Sequence, residues 1–248
     1  MSSTSLSVCS VNIRGLRNKM KRRTFFYNMR KMKWDIVCIQ ESYITEDDIE
    51  CWEKEWGGKM FVWAGTKHSM GQIILLKKGF SYDVECIVQL KRVLGIMVHI
   101  EESKVFVVNV YAPNELAEKQ NFFDSVKQRV SENDCDRKIV CGDFNCVMNN
   151  ELDIISGDKH YVKDVTCLNN MMIECELNDV WRLTHADEKE YTWSRKSPLV
   201  ARRLDYIFVN DVVYDNVFDC QIYSIAQSDH RMVGMKYHIT HIKRGPSY

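Results

Sequence analysis

The sequence predicts an α/β protein in which β-sheets pack on one another and helices cover the outside. Three observations carry that expectation. Strand-like runs rich in β-branched residues recur along the whole chain. Several, such as Ile36-Val-Cys-Ile39, are apolar at consecutive positions, as strands covered on both faces are. Between them lie a few stripes of apolar residues at helical spacing.

The strand-like runs are Leu6–Ile13, Asp35–Ile39, Met60–Trp63, Gln72–Leu76, Val93–Ile100, Val105–Tyr111, Lys138–Phe144, Leu204–Val209 and Met232–Ile239. Phe25, Met29 and Met32 form one helical stripe within Leu16–Lys33. Leu116, Phe123, Val126 and Val130 form a second, after Pro113 with Asn114 as its cap, and Val165, Leu168, Met172 and Cys175 a third. A weaker helix covers Thr45–Glu55, capped by Thr45. No repeat or Pro/Gly/Ser linker interrupts the 248 residues, so one domain is expected.

The polar residues at the strand ends carry the functional information. Asn12 closes the first run, Gln40 and Glu41 the second, Asn109 and Tyr111 the "VFVVNVYAP" run, and Asp143 and Asn145 the "KIVCGDFN" run. Asp205 stands just before Tyr-Ile-Phe-Val, and Asp229-His230 just before the last strand. Taken singly, such residues read as turn formers, with Gly142 letting the chain turn after its strand. Asp205 beside Arg202 and Arg203 reads singly as a surface ion pair. Taken together they have another reading. Antiparallel strands begin where their neighbours end, so all six groups can meet at one rim.

Their chemistry fits metal-assisted attack of water on a phosphodiester. Glu41 and Asn12 offer the hard oxygens that Mg²⁺ prefers. Asp143 can orient or deprotonate a water with Asn145 beside it, and His230 oriented by Asp205 can stabilise charge on phosphorus. Tyr111 offers a phenol to a phosphate oxygen. No Gly-x-Ser-x-Gly motif and no Gly-rich phosphate loop is present.

The ordered motifs "SVNIRGLRN", "DIVCIQES", "VVNVYAP", "GDFN", "RRLDYIFV" and "SDHRMV" resemble the endonuclease/exonuclease/phosphatase superfamily. Within it the chain looks most like the apurinic/apyrimidinic endonuclease-like endonuclease domain of a LINE-type (non-LTR) retrotransposon, on "IQESYITEDDIECWEKEWGG", "HSMGQIILL" and "NNELDIISG". The resemblance implies a deoxyribonuclease I-like four-layer fold, two packed mixed β-sheets flanked by helices, over residues 6–239. Residues 1–5 and 240–248 are then terminal extension or linker. It implies Glu41 as principal metal ligand, with Asn12 and Asp229 contributing, and Mg²⁺ as cofactor with Mn²⁺ able to substitute. It implies Asp143, His230, Asn145, Asp205 and Tyr111 as catalytic residues, and Thr192 and Ser228 as residues touching phosphate. Many repair endonucleases of the superfamily carry Asn-x-Asp-Gly, whereas this chain has Asn12-Ile-Arg14-Gly15. That departure weakens the analogy with abasic-site repair and places the metal more heavily on Glu41.

The function so implied is nicking of double-stranded chromosomal DNA in the nucleus. The product 3′-hydroxyl would prime a reverse transcriptase domain of the same polyprotein, with abasic-site repair or another phosphodiesterase activity as the alternative. The isolated domain is expected to be monomeric.

Formal net charge is zero, with 34 basic and 34 acidic residues, so a nucleic-acid partner requires local positive surface. One candidate is Arg14 and the basic residues after it, Arg17, Lys19, Lys21, Arg22 and Arg23. The other is Ser194–Arg203, with Arg195, Lys196, Arg202 and Arg203 and with Pro198 at a hairpin tip. Such a loop would read the groove and set the target while adding little to the chemical step. The ten cysteines show no Cys-x-x-Cys spacing and lie in or beside apolar runs, which reads as reduced thiols of an intracellular protein. No signal peptide is expected, and no apolar run approaches the ~20 residues of a membrane span.

Overall fold

The structure is a computed structural model that describes residues 4–156, 162–197 and 199–239. Its strands are β1 (Thr4–Asn12), β2 (Ile36–Gln40), β3 (Met60–Trp63), β4 (Gln72–Leu76), β5 (Asp83–Leu90), β6 (Val93–Ile100), β7 (Ser103–Tyr111), β8 (Arg137–Asp143), β9 (Ile154–Ile155), β10 (Asn178–Asp179), β11 (Trp193–Arg195), β12 (Val200–Arg202), β13 (Asp205–Val209), β14 (Val217–Tyr223) and β15 (Met232–Ile239). The helices are α1 (Lys19–Met32), α2 (Ile49–Trp56), α3 (Leu116–Glu132), α4 (Val162–Glu174), α5 (Val180–Thr184) and α6 (Asp211–Tyr214).

Two six-stranded sheets form, in the orders β14-β15-β1-β2-β4-β3 and β10-β13-β8-β7-β6-β5. The pairs β1–β2 and β7–β8 are parallel, and the other pairs within both sheets are antiparallel. Side chains alternate along each strand, and both faces are covered. On β1, Leu6 and Val8 face the second sheet, in a core shared with Ile96, Val107, Ile139 and Ile207. Cys9 and Val11 face outward and pack with Phe25, Phe26 and Met29 of α1 and Trp52 and Trp56 of α2. The outer face of the second sheet, with Phe106, Val108 and Phe208, is covered by Phe123 and Val126 of α3 and Leu168 and Met171 of α4. The four-layer sandwich expected from the resemblance is the architecture found. It also explains the unbroken apolar runs, since the central positions of inner strands such as β2, β4, β7 and β8 are buried and water is reached only near their ends, as at Lys104.

Several local expectations are corrected. Glu115, not Asn114, is the N-cap of α3, and no side chain caps it. The segment after Thr45 begins as a 3₁₀ turn, Glu46–Asp48, before α2. There the Asp48 carboxylate accepts from both the backbone N–H and the hydroxyl of Thr45. Thr4 and Ser5 belong to β1, paired with Ile239 and His238. Pro198, expected at the hairpin tip, lies outside the described residues. Gly142 makes no turn: it sits inside β8, where a Cβ would meet the Val110 carbonyl oxygen at 1.9 Å. Only the residue without a side chain lets β7 and β8 approach so closely.

Two of the strand-end polar residues belong to the fold. Gln40 donates through Nε2 to Asn109 Oδ1 at 2.7 Å and to Ser10 Oγ at 3.0 Å. Asn109 Nδ2 donates back to the carbonyls of Ile39 and Ile73, at 3.0 and 3.1 Å. Gln72 Nε2 donates to the Asn109 carbonyl at 2.9 Å. All three amides are buried, and together they fasten β2 and β4 to β7 across the sandwich. Asn109→Leu strips a partner from Gln40 and from two buried carbonyls. It is expected to lower unfolding free energy by about 1–3 kcal/mol, read from the denaturant midpoint.

Among the described residues no helix is long and apolar enough to cross a membrane.

Candidate active site

Strand register assembles the site. Tyr111, the last residue of β7, is the partner of Asp143 at the end of β8, and Asp143 is the partner of Asp205 at the start of β13. These three residues form a row across the rim of one sheet. On the other sheet Asn12 is the partner of Gln40, which places Glu41 beside it. His230 precedes β15 and forms an isolated bridge with Trp193, and the Asp229 carboxylate accepts from the Trp193 indole. A cavity of about 240 Å³ opens at this rim. Asn12, Arg14, Glu41, Asn114, Asp143, Asn145, Trp193, Arg202 and His230 line it.

The backbone here is unusual. Arg14, Glu41, Tyr43 and Asn145 all have left-handed φ, between 48° and 59°. Such conformations cost side-chain-bearing residues on the order of 1 kcal/mol each, and they cluster where geometry serves chemistry. Each is held: Arg14 N–H donates to Asn12 Oδ1, Gly15 N–H to the Glu41 carbonyl, Tyr43 N–H to the Met70 carbonyl, and Asn145 N–H to Asp143 Oδ1.

Asn12 Nδ2 donates to Asp143 Oδ2 at 2.9 Å and to Glu41 Oε1 at 3.3 Å, so one amide bridges the carboxylates of two sheets. Glu41 also accepts from the hydroxyls of Tyr43, at 3.0 Å, and Tyr111. Burial and then the Glu41 charge hold the Tyr111 phenol well above its ordinary value, so it stays a donor. Arg92 lies over the Tyr111 ring, 4.8 Å from its centroid. Asn145 is pinned by its Nδ2 donating to the Ala112 carbonyl at 2.8 Å, and its own carbonyl accepts from Lys119.

His230 Nδ1 lies 2.9 Å from Asp205 Oδ2, and its Nε2 lies 4.0 Å from Asp143 Oδ2. Burial disfavours the charged imidazole, but Asp205, then Asp143 and Asp229, outweigh it and raise His230 to about 9. Burial pushes the Asp143 carboxyl up to about 7, and the Asp205 charge adds to the shift. Both shifts favour the protonated form in the folded state. The Asp143 contribution to stability is therefore complete below its ordinary 3.8 and lost as pH rises through about 7. That of His230 is complete below 6.5 and lost as pH rises through about 9. The melting temperature of chelator-treated protein is expected to fall across these two ranges. The upper step should vanish in His230→Gln, and a flat profile would contradict the shifts.

The residues fit a divalent cation. Glu41 and Asp143 bring hard oxygens to one cavity, and Asn12, whose Nδ2 faces both carboxylates, would offer its Oδ1 to an ion with the amide turned. Asp205 Oδ1 is buried without a hydrogen-bond partner, and Asp143, Asp205 and His230 have ligand atoms within 4.8 Å of one another. Mg²⁺-type ions seek such oxygen-rich, acidic surroundings.

Other expected site residues have other places. Thr192 is fully buried, its hydroxyl accepts from the N–H groups of Leu204 and Asp205, and it positions Asp205 in place of reaching phosphate. Ser228 donates to the Asn12 carbonyl at 2.7 Å and accepts from the His230 N–H at 3.1 Å. Asp229 Oδ2 accepts from Arg14 at 2.8 Å and from Trp193 at 3.0 Å. Arg203 is corrected outright, because it is 1% exposed and bonded by its guanidinium to Asp153 and Asp179. It binds the protein's own carboxylates and is out of reach of DNA. Arg195 and Lys196 are exposed on the β11–β12 hairpin, while Arg202 lines the cavity. Of the first basic cluster, Arg17 pairs with Asp48 and Arg22 is buried against Glu55 and Trp52. Lys21 donates to the carbonyls of Ile13 and Arg14. Lys19 and Arg23 remain exposed. The sequence reading missed Tyr43 and Trp193. Tyr43 lies two residues beyond Glu41, and that adjacency was its only signal.

The sequence profile of the endonuclease/exonuclease/phosphatase family matches residues 9–230. The chain belongs to that family. As a member it is an enzyme of a divalent-metal-dependent group, consistent with the acidic cavity. It is 24% identical over 246 residues to the transposon TX1 uncharacterized 149 kDa protein of Xenopus laevis, covering 95% of this chain and 18% of that protein. It is 22% identical to an exodeoxyribonuclease of Bacillus subtilis (strain 168), over 91% of this chain and 96% of that one. An AP endonuclease structure from Leishmania major superposes with a TM-score of 0.81 at 18% identity, covering 95% of this chain and 88% of that chain. A 3′ phosphatase from Neisseria, bound to product DNA hairpin, superposes at 0.76 with 19% identity, covering 94% and 99%. These likenesses establish the deoxyribonuclease I-like fold.

Proposed function

We propose that this family member is a Mg²⁺-dependent endonuclease that nicks double-stranded DNA, leaving a 3′-hydroxyl and a 5′-phosphate. The observation that carries the reading is the Asp205–His230 pair set 4.0 Å from Asp143 in a cavity that also holds Glu41 and Asn12. Asp143, with a carboxyl near 7, is suited to align a water or take its proton at neutral pH. His230, charged below about 9 and oriented by Asp205, is suited to stabilise the pentavalent phosphorus. Tyr111 offers its hydroxyl to a phosphate oxygen, and Asn145 lies beside the attacking side. Water adds to phosphorus with its proton passing to Asp143 or to solvent, the bond from phosphorus to O3′ breaks, and O3′ takes a proton from solvent as the 3′-hydroxyl. Glu41, with Asn12 beside it, would hold a divalent cation, which would supply positive charge to the phosphate.

The likeness to the transposon TX1 protein supports a place within a longer retrotransposon polyprotein. There the 3′-hydroxyl would prime a reverse transcriptase domain for target-primed reverse transcription in the nucleus. Arg195 and Lys196 on the β11–β12 hairpin would hold backbone phosphates beside the cut. Similarity to AP endonuclease structures favours a second reading, cleavage at abasic sites.

Nick mapping on a defined duplex, intact or carrying one abasic site, with and without Mg²⁺, separates the two. Mg²⁺-dependent nicks in intact DNA with 3′-hydroxyl ends are expected. Cleavage confined to the abasic duplex would overturn the first reading.

A further inference from the structure

We propose that Arg14 is a built-in cation at the mouth of the site. It takes up the charge of Asp229 and leaves the cavity to a single divalent ion. The inference rests on the nuclease reading above and concerns how many ions that site holds.

Four carboxylates gather at this rim: Glu41, Asp143, Asp205 and Asp229. Three of them point at one another through Asn12 and His230. The fourth, Asp229, is turned outward and engaged, its Oδ2 accepting from the Arg14 guanidinium at 2.8 Å and the Trp193 indole at 3.0 Å. A metal ion at that oxygen would displace both donors and face the fixed positive charge of Arg14. Arg14 lines the same cavity as Glu41.

The backbone gives a second, independent reason. Arg14 adopts φ +49° and Gly15 φ +89°, two left-handed residues in succession. Arg14 N–H donates to Asn12 Oδ1 at 3.1 Å, and its carbonyl accepts from Lys21. This strained turn aims the guanidinium at Asp229. The ion pair it makes is exposed, with the Arg14 side chain 51% accessible, and exposed pairs add little stability. Backbone hydrogen bonds hold the turn while the ion pair adds little, so the pairing of Arg14 with Asp229 reads as charge balance at the site, where observed strain points to function. Arg14 is thus a positioning and charge-balancing residue.

The test counts ions on the intact chain without DNA. Mn²⁺ is titrated against chelator-stripped protein, free Mn²⁺ is followed by electron paramagnetic resonance, and Mg²⁺ binding is followed by calorimetry. Wild type should bind one ion, and Arg14→Asp, checked for fold by circular dichroism, should bind two. Asp229→Asn should still bind one, with affinity changed less than about threefold, since only a screened charge is lost. Two ions on wild type, one ion on folded Arg14→Asp, or loss of the ion in Asp229→Asn would each overturn the proposal. These counts do not depend on which DNA is cut, so nick mapping can fail while they hold, and the reverse.

Discussion

His230→Gln should lower the nicking rate by about 10²- to 10⁴-fold while leaving a folded protein. The imidazole has one nitrogen held by Asp205 at 2.9 Å and the other 4.0 Å from Asp143, so its charge is fixed where phosphorus would gain negative charge. Glutamine fills similar space and can still donate to Asp205, which avoids leaving a buried carboxylate alone. The loss should therefore appear in kcat, with melting temperature lowered at pH 6, where the charged imidazole contributes, and closest to wild type above about pH 9. The pH-rate profile of wild type should fall on its alkaline side near the raised His230 value of about 9. A variant within tenfold of wild type, or one whose alkaline limb stays in place, would remove His230 from the chemistry.

Arg203→Ala should cost about 3–5 kcal/mol of stability, the range for breaking one side of a buried ion pair. The guanidinium binds Asp153 through Nε at 2.8 Å and Nη2 at 3.0 Å, and Asp179 through Nη1 at 2.7 Å. It also lies over the ring of Tyr206, 4.4 Å from the centroid. Its removal strands Asp153, which is fully buried, with Arg182 as a remaining cation partner. Denaturant unfolding checks the size of the loss. The salt dependence of DNA binding by the folded fraction should not change. Arg195→Ala or Lys196→Ala should do the reverse, each lowering the salt slope by about 1 without loss of stability. If Arg203→Ala weakens binding and spares stability, its placement is wrong.

The rim was legible because it consists of polar residues at the ends of strands that are apolar on both faces. Inner strands such as β2 and β8 announce themselves, as every position of β2 and every position of β8 but Lys138 is buried. The edges do not. β5 and β14 each close one sheet, and most of their side chains are exposed or half-exposed, so no apolar run marks them. Arg203 was misread for a related reason. Its acids lie 50 and 24 residues away in sequence, and only the folded chain shows that they enclose it. Gln40 and Asn109 look like site residues in sequence because they share strand ends with Glu41 and Tyr111. Gln40 is one residue of alternation away from Glu41, while Asn109 shares a face of β7 with Tyr111 but lies two residues deeper between the sheets.

That inward pair sets how the enzyme fails. Asn12 and Glu41 come from one sheet, Tyr111, Asp143 and Asp205 from the other, and the amides of Gln40, Gln72 and Asn109 are the dowels that keep the halves in alignment. A slip of one sheet on the other by a single hydrogen bond's length would separate the acids while leaving both sheets intact. Loss of activity on heating should then run ahead of the loss of secondary structure, with the catalytic rate acting as the molecule's most sensitive strain gauge.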